Sequence, residues 1–213
     1  MSMDDTIQKI TIYALPVLFA ITFHEAAHAY AAKKYGDATA YMMGRMSLNP
    51  LKHIDPVGTI LIPLLALTLG GFLFGWAKPV PVNFANLNNP KKDMVWVAAA
   101  GPAANLVMAF GWALLYNVAA MNPEGYFSVP LALMSTAGIQ INVVLMVLNL
   151  LPIPPLDGGR IAVGLLPRDL AYPLARLEPY GMFILVALMA TGMLGVIIKP
   201  FYVATMKLVS IFL

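Results

Sequence analysis

The stretch that most limits what this chain can fold into is an apolar, membrane-length run, Ile10 to Lys34, with three ionisable side chains near its middle: Thr22-Phe23-His24-Glu25-Ala26-Ala27-His28-Ala29. On a helix of about 3.6 residues per turn, His24 and His28 stand one above the other on one face. That is the spacing two imidazoles need to bind one zinc ion, with Glu25 one position round and free to work on a water instead of holding the metal. A chance match would place three such groups in a spanning helix at an insertion cost of roughly 2.5–3.5 kcal/mol each, so a shared task is the better reading.

The rest of the composition agrees with a membrane setting. Of 213 residues, 60% are hydrophobic and 11% charged, too few charges to cover a water-soluble globule. The expectation is an all-α polytopic membrane protein with four to five membrane helices, a re-entrant segment and a short β element near the active site. One membrane-embedded domain, 1–213, accounts for the length. The absence of Cys removes disulfides, iron–sulfur clusters and thiolate zinc sites. A net charge of +3, concentrated in loops, bears on topology and gives no reason to expect a nucleic-acid partner.

Asp4 and Asp5 precede the first apolar run while Lys33 and Lys34 follow it, the wrong order for a cleaved signal peptide. The same asymmetry predicts a helix that starts outside and ends in the cytosol. At 1.5 Å per residue His24 lies about 21 Å beyond Ile10 in a hydrocarbon core about 30 Å thick. The site is therefore expected toward the cytosolic leaflet, and the chain in the cell membrane.

Ala38 to Asn49 alternates loosely and reads as a strand pair or extended surface loop. In Lys52-His53-Ile54-Asp55-Pro56, a further metal ligand is possible, but a flexible loop His and a capping Asp before Pro at the first helical position fit better. Val57 to Phe74 reads as the segment that dips into the membrane and returns. Val80, Pro81, Val82, Asn83 and Phe84 alternate Val with Pro, the pattern of an edge strand. Its unpaired backbone groups could take a partner peptide by strand addition, or the stretch could be a rigid linker. Met94 to Met121 is a spanning helix in which Gly101-Pro102-Ala103-Ala104-Asn105 supplies small residues for close packing and one amide that needs a partner. Pro130 to Leu151 runs back, and Tyr180 to Ile198 is a last crossing, with Lys199 to Leu213 left to lie along the interface or cap the bundle.

The second informative stretch is Asn149-Leu150-Leu151-Pro152-Ile153-Pro154-Pro155-Leu156-Asp157-Gly158-Gly159-Arg160. Pro152, Pro154 and Pro155 cannot continue a helix, and irregular backbone at membrane depth is tolerated only beside a wet or protein-lined cavity. Asp157 thus arrives near the leaflet of His24 and His28. Two His and one Asp leave a fourth position for water, the open coordination of a catalytic zinc. Arg160 is expected to anchor a helix end at the cytosolic surface.

Together these residues make the chain resemble the site-2 protease family of intramembrane zinc metalloproteases. His24-Glu25-Ala26-Ala27-His28 is similar to its zinc motif, Asn149 to Gly158 to its Asn-x-x-Pro-x-x-x-Leu-Asp-Gly motif, and Gly101 to Asn105 to its signature in the intervening helix, all in the family's order. The resemblance implies a minimal branch without PDZ or CBS domains, one zinc ion (Zn2+) per chain held by His24, His28 and Asp157, and Glu25 as general base. It further implies that Asn149 donates a hydrogen bond to the oxyanion and that an edge strand at Val80 to Phe84 clamps substrate. The expected partners are a transmembrane-segment protein substrate, unwound before cleavage, and the lipid bilayer. A metal or ion transporter would also place His, Glu and Asp in broken helices, and a catalytically silent membrane binding protein would keep the fold without cleavage.

Overall fold

The structure is a computed structural model that describes residues 3–62 and 77–213. Eight α-helices are present among them: α1 Met3–Lys34, α2 Thr39–Met42, α3 Pro90–Met121, α4 Ser128–Asn149, α5 Asp157–Leu165, α6 Arg168–Ala175, α7 Gly181–Ala190 and α8 Met193–Val209. Among the described residues five segments are long and apolar enough to cross a membrane: Ile7–Lys34, Pro90–Met121, Ser128–Asn149, Arg168–Ala190 and Met193–Phe212. Their outward faces carry exposed Val107, Leu114, Val118, Phe183, Val196 and Phe201. So much apolar surface is stable only against lipid, and the chain is an integral, multi-pass membrane protein.

Helices α1, α3 and α4 pack mutually and hold the centre. Small residues line the α1–α3 contact: Ala20, whose C=O takes the Asn105 amide, Ala32, packed with Val97, and Gly101, which lies against the two histidines, are all buried. Without an oil–water difference inside the bilayer, this close approach is what gives two helices van der Waals cohesion. Between α3 and α4, Trp112, Ile139, Val143 and Val147 form a second contact, closed below by Val209 of α8. The helix ends follow local rules. Lys33 and Lys34 sit in the last turn of α1, where cations oppose the helix dipole. Gly36 then turns the chain at φ +111°, a conformation that side chains disfavour, and Asp37 N–H returns to Ala32 C=O at 2.9 Å. Pro90 opens α3, and Asp93 accepts from Asn89 N–H at 2.7 Å.

Three expectations need correction. First, no strand is present among the described residues, so the short β element is absent. Ala38 to Asn49 instead opens with the short helix α2, and Val80 to Asn83 is extended without a strand partner before a 3-10 turn begins at Phe84. Pro79 and Pro81 lack N–H groups, and the neighbouring donors, Val80 N–H and Asn83 N–H, bind the carboxylates of Glu25 and Asp37. Second, Tyr180 to Ile198 is not one crossing. The helix breaks at Gly192, φ +72°, and the tail from Lys199 belongs to α8. Third, His53 is fully buried and bonds Ser47 C=O at 2.7 Å through Nε2, unlike a flexible loop residue. Asp55 does cap a turn that begins at Pro56, accepting from Val57 N–H and Gly58 N–H at 3.0 and 2.7 Å. The proposed re-entrant segment falls for the most part outside the described residues.

Candidate metal centre

Helix α1 presents His24 and His28 on the face that meets α3. There the two rings stand 4.7 Å apart, nearly perpendicular. Each ring is oriented from behind. His24 Nδ1 lies 2.6 Å from Asn105 Oδ1, and His28 Nδ1 lies 2.7 Å from Val97 C=O. The Asn105 amide cannot be turned the other way, because its NH2 donates to Ala20 C=O at 3.2 Å and to Asn142 Oδ1 at 3.0 Å. In their neutral form both imidazoles therefore carry their proton on Nδ1 and turn Nε2 lone pairs toward a common point. Gly101 makes room for them: a Cβ there would lie 2.6 Å from His24 Cε1 and closer still to His28 Nε2.

Asp157 comes from the other side of the sequence. Helix α4 stops at Asn149, the Pro-rich loop follows, and α5 starts at Asp157. Gly158 and Gly159 let α5 begin against that loop, since a Cβ on Gly159 would stand 2.6 Å from Ile153 C. Gly181 of α7 backs the same loop, where a Cβ would lie 2.5 Å from Pro154 C. So placed, the Asp157 carboxylate lies 3.2 Å from His24 Nε2 and 3.3 Å from His28 Nε2, with the two Nε2 atoms 3.0 Å apart. Among the described residues these three form the group that could hold a metal ion.

These donors fit a zinc ion on the structure's own terms. With the ring protons held by Asn105 and Val97, two nitrogen lone pairs and a carboxylate face one another with no proton between them, and Asp157 Oδ2 is buried without a hydrogen-bond partner. Three buried acceptors this close repel one another unless a cation lies among them. Ligands about 2.0–2.1 Å from a tetrahedral zinc would lie roughly 3.3 Å apart, close to the observed spacing.

Beside this group a cavity of about 180 Å³ is lined by His24, Glu25, His28, Asn149, Asp157 and Arg160, with Val80, Val82 and Phe84 on its rim. The sequence-predicted site residues are thus brought together around one space, although Pro81 and Asn83 are not in its lining. Glu25 Oε2 accepts the Val80 N–H at 2.6 Å. Asn149 Nδ2 donates to Leu145 C=O at 3.0 Å, which leaves its second N–H free. Arg160 reaches Glu178 at 3.3 Å and lies 4.8 Å over the Phe84 ring, so it joins the extended segment to the chain beyond α6. The sequence alone gives neither Asn105 its ring-orienting place nor Asp37 its bonds to Asn83 and Asn86. An amide in a spanning helix is a signal of a needed partner, but the partner itself is set by packing.

Asp37 is fully buried and lies past the end of α1. Burial works against its charge, yet hydrogen bonds from the Thr39 hydroxyl, Asn83 N–H, the Asn86 amide and Thr39 N–H outweigh it and hold the carboxyl below its usual range.

Two protonated-at-Nδ1 imidazoles and one carboxylate, opening on a cavity inside a membrane helix bundle with a glutamate beside them, describe a membrane-embedded metallopeptidase. Residues 127–192 match the profile of Peptidase family M50. YwhC of Bacillus subtilis (strain 168) is 42% identical over 189 residues, 87% of this chain and 83% of that protein. Rip2 of Mycolicibacterium smegmatis (strain ATCC 700084 / mc(2)155) is 34% identical over 183 residues, 84% of this chain and 66% of that protein. Rip2 of Mycobacterium tuberculosis (strain ATCC 25618 / H37Rv) is 31% identical over 146 residues, 66% of this chain and 52% of that protein. All three carry zinc-metalloprotease names. No solved structure gives a significant match. The chain belongs to peptidase family M50, the intramembrane zinc metalloproteases. Its cofactor is zinc, and neither the transporter nor the silent-binder reading is favoured by these relatives.

Proposed function

We propose that residues 1–213 form one membrane-embedded protease domain that cuts transmembrane segments of other proteins, with its site toward the cytosolic leaflet of the cell membrane. In this reading His24, His28 and Asp157 hold one zinc ion, Glu25 is the general base, Asn149 steadies the oxyanion, and Val80, Pro81, Val82, Asn83 and Phe84 hold the substrate in extended form. The observation that carries it is the convergence of three buried acceptor atoms, 3.0–3.3 Å apart, with their competing protons tied off elsewhere.

Zinc bound there supplies Lewis acidity, polarising a carbonyl and making a water ionisable near neutral pH. The protein supplies the rest. Glu25 faces the cavity with one carboxylate oxygen on Val80 N–H and the other available to take a proton from attacking water and return it to the leaving amine. Asn149, at the end of α4 and in the cavity lining, keeps one N–H free, and in this reading that N–H bonds the developing negative charge. The extended segment at the rim gives an unwound substrate strand a backbone to pair with, and Lys33, Lys34, Lys91, Lys92 and Arg168 support the cytosolic orientation.

Glu25→Gln tests this reading. Cleavage of a model transmembrane substrate in proteoliposomes is expected to fall by about 10²–10⁴ with zinc content unchanged. Equal rates for mutant and parent would end the proteolytic account.

A further inference from the structure

Pro79 and Pro81 have no N–H, so Val80 offers the single backbone donor between them, and Glu25 takes it through Oε2 at 2.6 Å. The peptide group that supplies this N–H also carries the Pro79 C=O. That oxygen is bonded as well: Arg45 Nη2 donates to it at 3.3 Å and to the preceding Lys78 C=O at 3.0 Å. The Pro79–Val80 bond is trans, the cis bond among the described residues being Pro154–Pro155, so its C=O and N–H point in opposite directions. One planar amide therefore stands between a guanidinium and the carboxylate read above as the general base.

Both charges act along the dipole of that amide. A cation on the oxygen makes the N–H a stronger donor, and a carboxylate on the N–H makes the oxygen a stronger acceptor, so each hydrogen bond reinforces the other. Arg45 has no acid of its own. Among the described residues its guanidinium pairs with no carboxylate, and its Nε is buried without a partner. The backbone on both sides is tied down: Arg45 N–H donates to Ala40 C=O at 2.8 Å, and Lys78 N–H to His53 C=O at 3.0 Å. The rings of Pro79 and Pro81 restrict φ on either side of Val80, which leaves the amide little freedom to turn away. A glutamate side chain is by contrast rich in rotamers and is fixed only at an entropic cost, which a donor already held in place offsets.

We propose that Arg45 is a positioning residue for the reaction: it holds and polarises the Pro79–Val80 peptide, and that peptide holds the Glu25 carboxylate by Oε2, leaving Oε1 to move the proton. The inference rests on the proteolytic reading and deepens it by naming what sets the base in place. Arg45 touches neither the metal-binding group nor the reacting atoms. Its effect passes through one amide in the cavity wall, where Pro79 and Val80 are both part of the lining and Arg45 is not. This accounts for a cation without an acidic partner whose bonds all go to backbone carbonyls.

Steady-state cleavage of a model transmembrane substrate by the full chain in proteoliposomes tests it, with zinc content and amide hydrogen exchange at Val80 measured on each protein. Arg45→Ala is expected to lower kcat about tenfold with KM within twofold and zinc unchanged, the size of one hydrogen bond to a charged group felt in the transition state alone, and to speed exchange at Val80. Arg45→Lys keeps the charge but not the planar fork, and its kcat is expected to fall between those of Arg45→Ala and the parent. Val80→Pro removes the N–H itself and is expected to match the loss in Arg45→Ala. Adding Arg45→Ala to Val80→Pro is then expected to cost less than about twofold more, because the bond through which Arg45 acts is already gone. A further loss of about tenfold in the double variant overturns the proposal. So does an Arg45→Ala protein whose kcat and Val80 exchange match the parent, or one that sheds zinc in step with kcat. Should Val80→Pro not fold, the Arg45 pair decides, and an Arg45→Lys protein no faster than Arg45→Ala overturns the proposal. Should Arg45→Ala not fold, Arg45→Lys alone and combined with Val80→Pro is read in the same way. A parent that cleaves and is silenced by Glu25→Gln while the Arg45 variants keep its kcat refutes this inference alone; a parent with no cleavage at all removes the proteolytic reading and this inference with it.

Discussion

Replacing Asn105 by Leu asks how far the metal group depends on the residue behind it. The side chain is fully buried and its amide serves three partners: His24 Nδ1 at 2.6 Å, Ala20 C=O at 3.2 Å and Asn142 Oδ1 at 3.0 Å. Leu keeps the branched shape and the number of side-chain heavy atoms but is bulkier, so no cavity is left and the loss is chiefly polar, with some crowding added. Two groups are orphaned outright, the His24 Nδ1 proton and Asn142 Oδ1, at about 1–3 kcal/mol each. His24 escapes its share by moving the proton to Nε2, where it can bond Asp157, and that tautomer blocks the metal. The cost then falls on zinc affinity, and loss of an outer partner to a metal-binding His is worth 10–100-fold, or about 1.4–2.8 kcal/mol. Competition with a chromophoric chelator on detergent-solubilised protein measures this directly, and far-UV circular dichroism reports whether the bundle persists. An Asn105→Leu protein with intact helix content and a zinc affinity within twofold of the parent would refute the tautomer argument.

Two further outcomes follow from the same geometry. Gly101→Ala puts a Cβ 2.6 Å from His24 Cε1 and nearer to His28 Nε2, so the rings must rotate off their common point; zinc binding is expected to drop by more than 100-fold while Gly111→Ala, whose added Cβ meets nothing within 4 Å, leaves it unchanged. For Asp37 the folded-state pKa lies below the ordinary value of 3.8, so its contribution to stability is present above about pH 4 and is lost as pH falls through the lower folded value. Thermal melts with chelator present, to keep zinc release out of the signal, should show the parent losing Tm more steeply than Asp37→Asn as the pH falls below about 4; parallel curves would contradict the assigned hydrogen bonds.

What the sequence revealed divides along local and non-local lines. The i, i+4 pair of histidines is a property of one helix, legible before any tertiary contact is known. Asp157 could be assigned to the same group because three prolines forced a break at membrane depth and a carboxylate there needs a partner. Asn105 was legible only as an amide in want of one, since which of α1 and α4 it meets depends on how α3 rotates. The extended segment was read correctly as non-helical and wrongly as a strand. Alternating Val and Pro limits pairing, and its remaining donors went to Glu25 and Asp37, acids whose positions against residues 80–83 no local pattern encodes. The break at Gly192 was hidden because, Thr191 apart, the residues on either side are apolar, and a glycine in such a run can sit in a helix as well as end one.

The split between local and non-local ligands has an energetic consequence. His24 and His28 keep their spacing in any state where α1 is helical, but Asp157 joins them only when α5 is tucked against the 150–154 loop, a contact that requires glycine at 158 and 159 and is backed by Gly181. Zinc therefore binds the packed bundle more tightly than a state in which α5 has come away. Whatever binds one state alone stabilises it by RT ln(1 + [L]/Kd), about 4.1 kcal/mol at a free zinc concentration a thousand times Kd. Without zinc the same three acceptors repel one another, so the contact that completes the site is weakened where the metal is needed. Metal binding and the seating of α5 are in this way one equilibrium, and the glycines that admit Asp157 belong to the metal centre as much as the ligands do.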